Sequence, residues 1–213
     1  MSALDRWRDR LGRRFARVAT TAVVARPGLW RLFRSPLRAQ FDWLAGGWEG
    51  RRGPEALIPV EAALARVQSA TRALDLGTGT GKAARVIARR FPEATVAGVD
   101  LSPRMVEEAR RLLPADLADR VRFQVADASA LPFADASFDL VVLMNMIPFF
   151  PELARVLEPG GAAVFASSSG AGTPIYVSPQ RLREQLAPLG FAGFEELTAP
   201  PGTAFVATKS ACL

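Results

Sequence analysis

Histidine is absent from this chain of 213 residues, and cysteine and tyrosine occur once each. Without imidazole the commonest general base and metal ligand is missing, so any chemistry must do without it. The single Cys212 excludes an internal disulfide and a cysteine-built metal site. No metal centre is expected. No apolar run approaches the roughly 20 residues that a membrane-spanning helix needs. The nearest thing to a targeting segment, VATTAVVA after Arg13-Arg14, is eight residues long, holds two threonines and continues a longer helical stripe. Export is therefore discounted and a cytoplasmic location expected.

What is present fits one folded domain with an appendage: 49% of the residues are apolar, ample for a core. The net charge of +6 is unevenly placed. Residues 1–52 hold twelve arginines against Asp5, Asp9, Asp42 and Glu49, a net of +8, which leaves −2 for residues 53–213. The larger part is close to neutral, which argues against a broad nucleic-acid surface on it.

The arginine-rich part has a pattern of its own. Leu4, Trp7, Leu11, Phe15, Val18 and Ala22 follow steps of three and four, predicting one apolar helix face with arginines around the rest. Pro27-Gly28 ends that helix. Trp30, Phe33, Leu37, Phe41 and Leu44 then suggest two short helices broken near Pro36, and glycines 46, 47, 50 and 53 suggest a hinge-like linker. Three roles compete for this extension of residues 1–53: packing on the core or on a second copy in a homodimer, lying on an anionic membrane through residues 1–45, or binding nucleic acid.

Residues 73–92 organise the remainder, 54–213. An alternating run ends in Asp75, glycines follow at 77, 79 and 81, and helical spacing resumes at Ala84, Val86, Ile87 and Phe91. That is strand, tight turn, helix. A dinucleotide fingerprint from Gly77 needs glycine where Lys82 stands, and a phosphate loop ending Gly81-Lys82 needs glycine at Leu76 and Ser or Thr at Ala83. Both fail. What remains, an acid two residues before G-x-G-x-G, resembles the first motif of the class I S-adenosylmethionine-dependent methyltransferases. Later markers follow in order over residues 55–209: a strand ending in Asp100, another followed by Asp127-Ala128, a fourth ending near Asn145, and LEPGG at 157–161.

The resemblance implies an α/β, doubly wound, mainly parallel seven-stranded sheet of Rossmann-like type with an antiparallel last strand, plus the N-terminal helical extension. It also implies S-adenosylmethionine as cofactor, with ligand at the carboxyl ends of the strands. Asp75, Gly77, Thr78, Gly79 and Gly81 would hold its methionine part, Asp100 the ribose hydroxyls, and Leu101 and Met105 its sugar and base. Asp127 would meet the adenine amino group with Ala128 beside the ring, and Asn145 could touch cofactor or acceptor. Asn145-Met146-Ile147-Pro148 lacks the paired prolines of amino-group methyltransferases, which lowers a nucleobase or glutamine acceptor. Asn145 and Tyr176 are weak catalytic candidates; Asp42 and Glu49 join them only if the extension folds over the site. Acceptor choice falls to two roofing pieces: Trp30, Phe41, Trp43 and Trp48, and the glycine-bearing stretch 167–176. An aromatic roof points to a small hydrophobic or lipid-like acceptor. A regulatory or partner subunit that keeps only the cofactor site, and an RNA methyltransferase guided by the arginines, are the alternatives.

Overall fold

The computed structural model describes residues 3–51 and 53–211, with side chains from residue 10 onward, so Leu4, Trp7 and Cys212 fall outside the described side chains. The sheet has seven strands: β1 (Arg72–Leu76), β2 (Thr95–Asp100), β3 (Val121–Val125), β4 (Phe138–Met144), β5 (Leu157–Ser167), β6 (Phe191–Ala199) and β7 (Gly202–Lys209). Their spatial order is β3-β2-β1-β4-β5-β7-β6. Pairs from β3 through β5 are parallel, and β7 runs antiparallel to both β5 and β6. The order reverses between β1 and β4, the place where doubly wound sheets open a crevice at their carboxyl ends.

Side chains alternate across a strand, so each face of the sheet buries its own layer. Leu74, Leu76, Val141 and Leu143 point to the side covered by α6 (Phe150–Val156) and α7 (Pro179–Leu186). Ala73, Val96, Val142 and Val164 point to the side covered by α3 (Ile58–Leu64), α4 (Lys82–Arg90) and α5 (Pro103–Arg111). α5 is opened by Ser102, whose hydroxyl accepts from Met105 N–H at 3.1 Å, with Pro103 at the first helical position.

The extension joins this core. α1 (Ala3–Ala25) and α2 (Trp30–Leu44) bury Ala16, Ala19, Val23, Trp30 and Leu37 in the layer that contains Leu76, Ile147 and Phe149. Three sequence expectations are corrected here. The buried stripe of α1 is not the one of large residues, since Leu11 and Val18 are 44% and 60% exposed; Ala16, Ala19, Thr20 and Val23 face inward instead. Small residues let α1 approach closely: a Cβ on Gly12 would lie 2.4 Å from Gln40 Nε2 of α2. α2 is one helix through Pro36 rather than two. The carbonyl that loses its donor there belongs to Leu32, on the solvent side, where water can replace the missing N–H. The presumed hinge is a succession of 3₁₀ turns at Ala45–Gly47, Glu49–Arg51 and Pro54–Leu57, tied to the core through residues 48 and 49.

Candidate functional site

The β1–α4 turn needs glycine for conformational reasons at its two central positions. Gly77 and Gly79 have φ of +76° and +53°, angles that residues with a Cβ rarely adopt. A Cβ on Gly77 would sit 2.6 Å from Met146 Sδ, so the bare backbone also makes room between β1 and β4. The N–H groups of Gly77 and Thr78 both donate to Val99 carbonyl at 2.9 Å, locking the turn to β2.

Two carboxylates frame the turn. Asp75 is fully buried; its Oδ2 accepts from Thr78 Oγ1 at 2.5 Å and Ala84 N–H at 2.9 Å. Its Oδ1 is, among the described residues, a buried oxygen with no hydrogen-bond partner. Burial pushes the Asp75 carboxyl up to about 6, against the lowering pull of Thr78 and Ala84. Asp100, at the end of β2, accepts from Gly79 N–H on Oδ2 and Ser102 N–H on Oδ1, both at 2.9 Å, and is likewise raised by burial to about 6. Each Asp100 oxygen keeps capacity for one more donor.

Above them lies a cavity of about 680 Å³. Its floor includes Asp75, Gly77, Thr78 and Gly79 from the turn, Asp100, Leu101 and Met105 from β2 and α5, Ala128 after β3, and Asn145 after β4. Asn145 holds φ at +54°, uncommon for a residue with a Cβ, while its Oδ1 accepts from Ser168 N–H at 3.0 Å. The roof is the extension: Trp30, Leu37, Phe41, Leu44 and Trp48, closed on the far side by Thr173, Pro174 and Ile175. Phe41 and Trp48 meet edge-on at 5.8 Å, and Leu44 and Met105 share a small cluster with them.

Polar clamps hold this roof to the loops after β1, β2, β3 and β5. Asp42 Oδ1 accepts from Ser102 Oγ at 2.6 Å. Glu49 accepts from Thr80 Oγ1 at 2.6 Å and Arg85 Nη2 at 2.9 Å, and its carbonyl accepts from Lys82 Nζ. Trp30 Nε1 donates to Asp127 at 2.8 Å, and Arg13 Nη2 donates to Gly172 carbonyl at 3.2 Å.

Not every sequence candidate lines the cavity. Gly81 instead starts α4, in the left-handed conformation. Asp127 faces the extension. Tyr176 borders a separate hollow of about 30 Å³ that it shares with Asn145 and Met146. Trp43, expected in the roof, is 53% exposed because it lies on the opposite face of α2 from Leu37 and Leu44. Asp42 and Glu49 do fold over the site, but as clamps whose oxygens face protein donors. Sequence reasoning missed Met146, Gln40, Arg13 and Arg51 as cavity residues; Met146 sits beside Asn145 at the end of β4, and the other three belong to no motif and reach the cavity through tertiary packing.

Residues 73–161 match a family model described as a methyltransferase domain. The demethylmenaquinone methyltransferase of Thermus thermophilus is 44% identical over 108 residues, covering 47% of this chain and 49% of that protein. The trans-aconitate 2-methyltransferase of Methylobacterium nodulans is 40% identical over 128 residues, covering 56% and 47%. A methyltransferase of Haloferax volcanii, solved in complex with the activator Trm112, superposes with a TM-score of 0.69 at 24% identity, over 81% of this chain and 98% of that one. The matched segment resembles the methyltransferase domain of these proteins, and the chain shares the fold of the Haloferax enzyme. It spans under half the length of the two curated relatives just named, and their different acceptors mean that the shared core does not select one.

The residues of this site fit S-adenosylmethionine, the cofactor that the resemblance implies. The unpartnered Oδ1 of Asp75 suits the ammonium of an amino acid, the spare acceptor positions of Asp100 suit a vicinal diol, and the glycine turn leaves backbone open between them.

Proposed function

We propose that this protein transfers the methyl group of S-adenosylmethionine to a small hydrophobic or lipid-like acceptor. The observation that carries this reading is one cavity with a carboxylate-and-glycine floor and an aromatic roof. The cofactor supplies an already activated methyl group. Asp75 would take its ammonium, Asp100 its ribose hydroxyls, and Leu101, Met105 and Ala128 the flat base. Trp48, Phe41, Met146 and Ile175 would then enclose the acceptor and exclude water, leaving alignment as the chain's main contribution to rate. Incubation with labelled S-adenosylmethionine and a panel of quinones, phenols and lipids should transfer label to apolar members and leave sugars and polar acids unlabelled. Label on the polar set alone would refute the acceptor class.

One observation favours a second reading, a subunit that binds the cofactor without turnover. Asp42 and Glu49 are occupied as clamps and Tyr176 lies outside the cavity, so no described carboxylate stands ready as a base for the acceptor. Binding of S-adenosylhomocysteine with no transfer to any member of the panel would select it.

Cytoplasmic placement with peripheral membrane contact completes the proposal. No helix among the described residues is long and apolar enough to cross a membrane. The outer face of α2 carries Leu32, Pro36, Ala39 and Trp43 at helical spacing, with Leu32 63% exposed, and Arg31, Arg34 and Arg38 run beside it. On α1, Leu11 and Val18 stand exposed among Arg10, Arg14 and Arg17. Each basic residue near an anionic surface is worth about 1 kcal/mol. Vesicles containing anionic lipid should sediment the protein, and Leu32→Glu with Trp43→Glu should abolish this while leaving S-adenosylhomocysteine affinity within threefold. Sedimentation unchanged by the pair would place the contact elsewhere or nowhere.

A further inference from the structure

We propose that Trp30 and Arg34 of the extension, and not the purine of the cofactor, are the partners of Asp127, so that the base pocket reads shape rather than the 6-amino group. The inference deepens the cofactor reading above and rests on it.

Ala126 and Ala128 both line the cavity wall, yet the carboxylate between them turns to the protein. Its Oδ1 accepts from Trp30 Nε1 at 2.8 Å, Ser129 N–H at 2.9 Å and Ser129 Oγ at 2.7 Å. Its Oδ2 accepts from the same indole at 3.1 Å and from Arg34 Nη1 at 3.4 Å. A carboxylate offers about four acceptor positions. Four donor groups from three residues already engage them, three on Oδ1, so an incoming amine would have to displace Arg34 or share Oδ2 with the indole.

The indole is not a loose occupant. Trp30 is 8% exposed, packs edge-on against Phe149 at 5.1 Å, and shares the core with Leu37 and Ile147. Withdrawing its N–H means moving the start of α2, and α2 is pinned at its other end by the Asp42–Ser102 bond. Asp127 is thus an anchor for the roof. What remains for the purine is apolar: Leu101, Met105, Ala128 and the Trp30 ring itself, all on the cavity wall. Such a pocket selects a flat ring of the right width and is indifferent to a hydrogen-bond donor at its edge.

The difference is measurable by calorimetry. A site that binds an amine through a carboxylate discriminates strongly against the analogue lacking it, because a buried acceptor is left unpaired. Here S-adenosylhomocysteine and its analogue with hydrogen in place of the 6-amino group should bind within threefold of each other. A larger preference for the amino compound would overturn the proposal. Trp30→Phe keeps an aromatic ring there and deletes the N–H, freeing an acceptor on Asp127, so the preference should rise above that of the wild type; an unchanged ratio would remove Trp30 from the role. As a check that needs no folded variant, the Trp30 indole proton should remain protected from hydrogen exchange at saturating S-adenosylhomocysteine. Its exposure on binding would mean that the purine displaces it. Failure of both compounds to bind at all would instead refute the underlying cofactor assignment.

Discussion

Asp100→Ala should lower affinity for S-adenosylhomocysteine by about two orders of magnitude, because two hydroxyl donors lose a charged acceptor and each such bond contributes roughly 1.5–3 kcal/mol. The wild-type geometry explains why a single residue carries so much. Asp100 is held from behind by Gly79 N–H and Ser102 N–H, so its remaining acceptor positions are presented to the cavity without further ordering. Stability should respond far less. Of the two backbone donors left behind, Gly79 N–H lines the cavity, where water can serve it, while Ser102 is buried; against that cost, the variant no longer buries a carboxyl whose ionisation burial disfavours. Calorimetry and a thermal melt together make the test: undiminished affinity in a folded Asp100→Ala protein would remove the ribose from this position.

The same residue shows what a sequence can disclose. Asp100 was legible because a strand of alternating burial ends in it, a fixed distance beyond a glycine turn, and local periodicity survives folding. So were the mainly parallel, doubly wound sheet and its antiparallel last strand, which the family resemblance implied. The extension was less legible. Its stripe of Leu11, Phe15 and Val18 is the obvious amphipathic face, yet close contact with α2 favours the small face of Gly12, Ala16 and Ala19, where backbones can approach. Large side chains are a reliable sign of burial only where the interhelical gap has room for them. Pro36 misled for a related reason: a proline interrupts a helix when the orphaned carbonyl is buried, and here it faces water. The clamps were beyond reach altogether. Trp30 and Asp127 lie 97 residues apart, and Glu49 and Thr80 lie 31 apart, with nothing periodic to link them.

Asp75 gives the complementary case, in which binding and stability should move in opposite directions. Its carboxyl is raised from 3.8 to about 6, chiefly by burial. A raised acid prefers its neutral form in the fold, so the stability tied to that form is fully present below pH 3.8 and lost as pH climbs through about 6. At pH 7.5 the ionised group therefore costs the ligand-free protein about 3 kcal/mol. Asp75→Asn keeps an acceptor for Thr78 Oγ1 and Ala84 N–H and carries no charge. It should be more stable by about 2 kcal/mol at pH 7.5, since neutral bonds replace charge-assisted ones, and no different near pH 3.5. The ligand sees the reverse. An ammonium facing Oδ1 requires the ionised form, so Asp75 alone should lower wild-type affinity about tenfold between pH 7.5 and pH 5, as expected for one proton taken up near pH 6, and protonation of Asp100 in the same range adds to that fall. Asp75→Asn should bind about 100-fold more weakly at pH 7.5, the usual scale for stranding one partner of a buried charge pair. Its pH slope should also be shallower than that of the wild type, with only Asp100 left to titrate in that range. A variant that gains stability yet keeps both the affinity and the slope would separate the unpartnered oxygen from the ligand and leave it as buried strain alone.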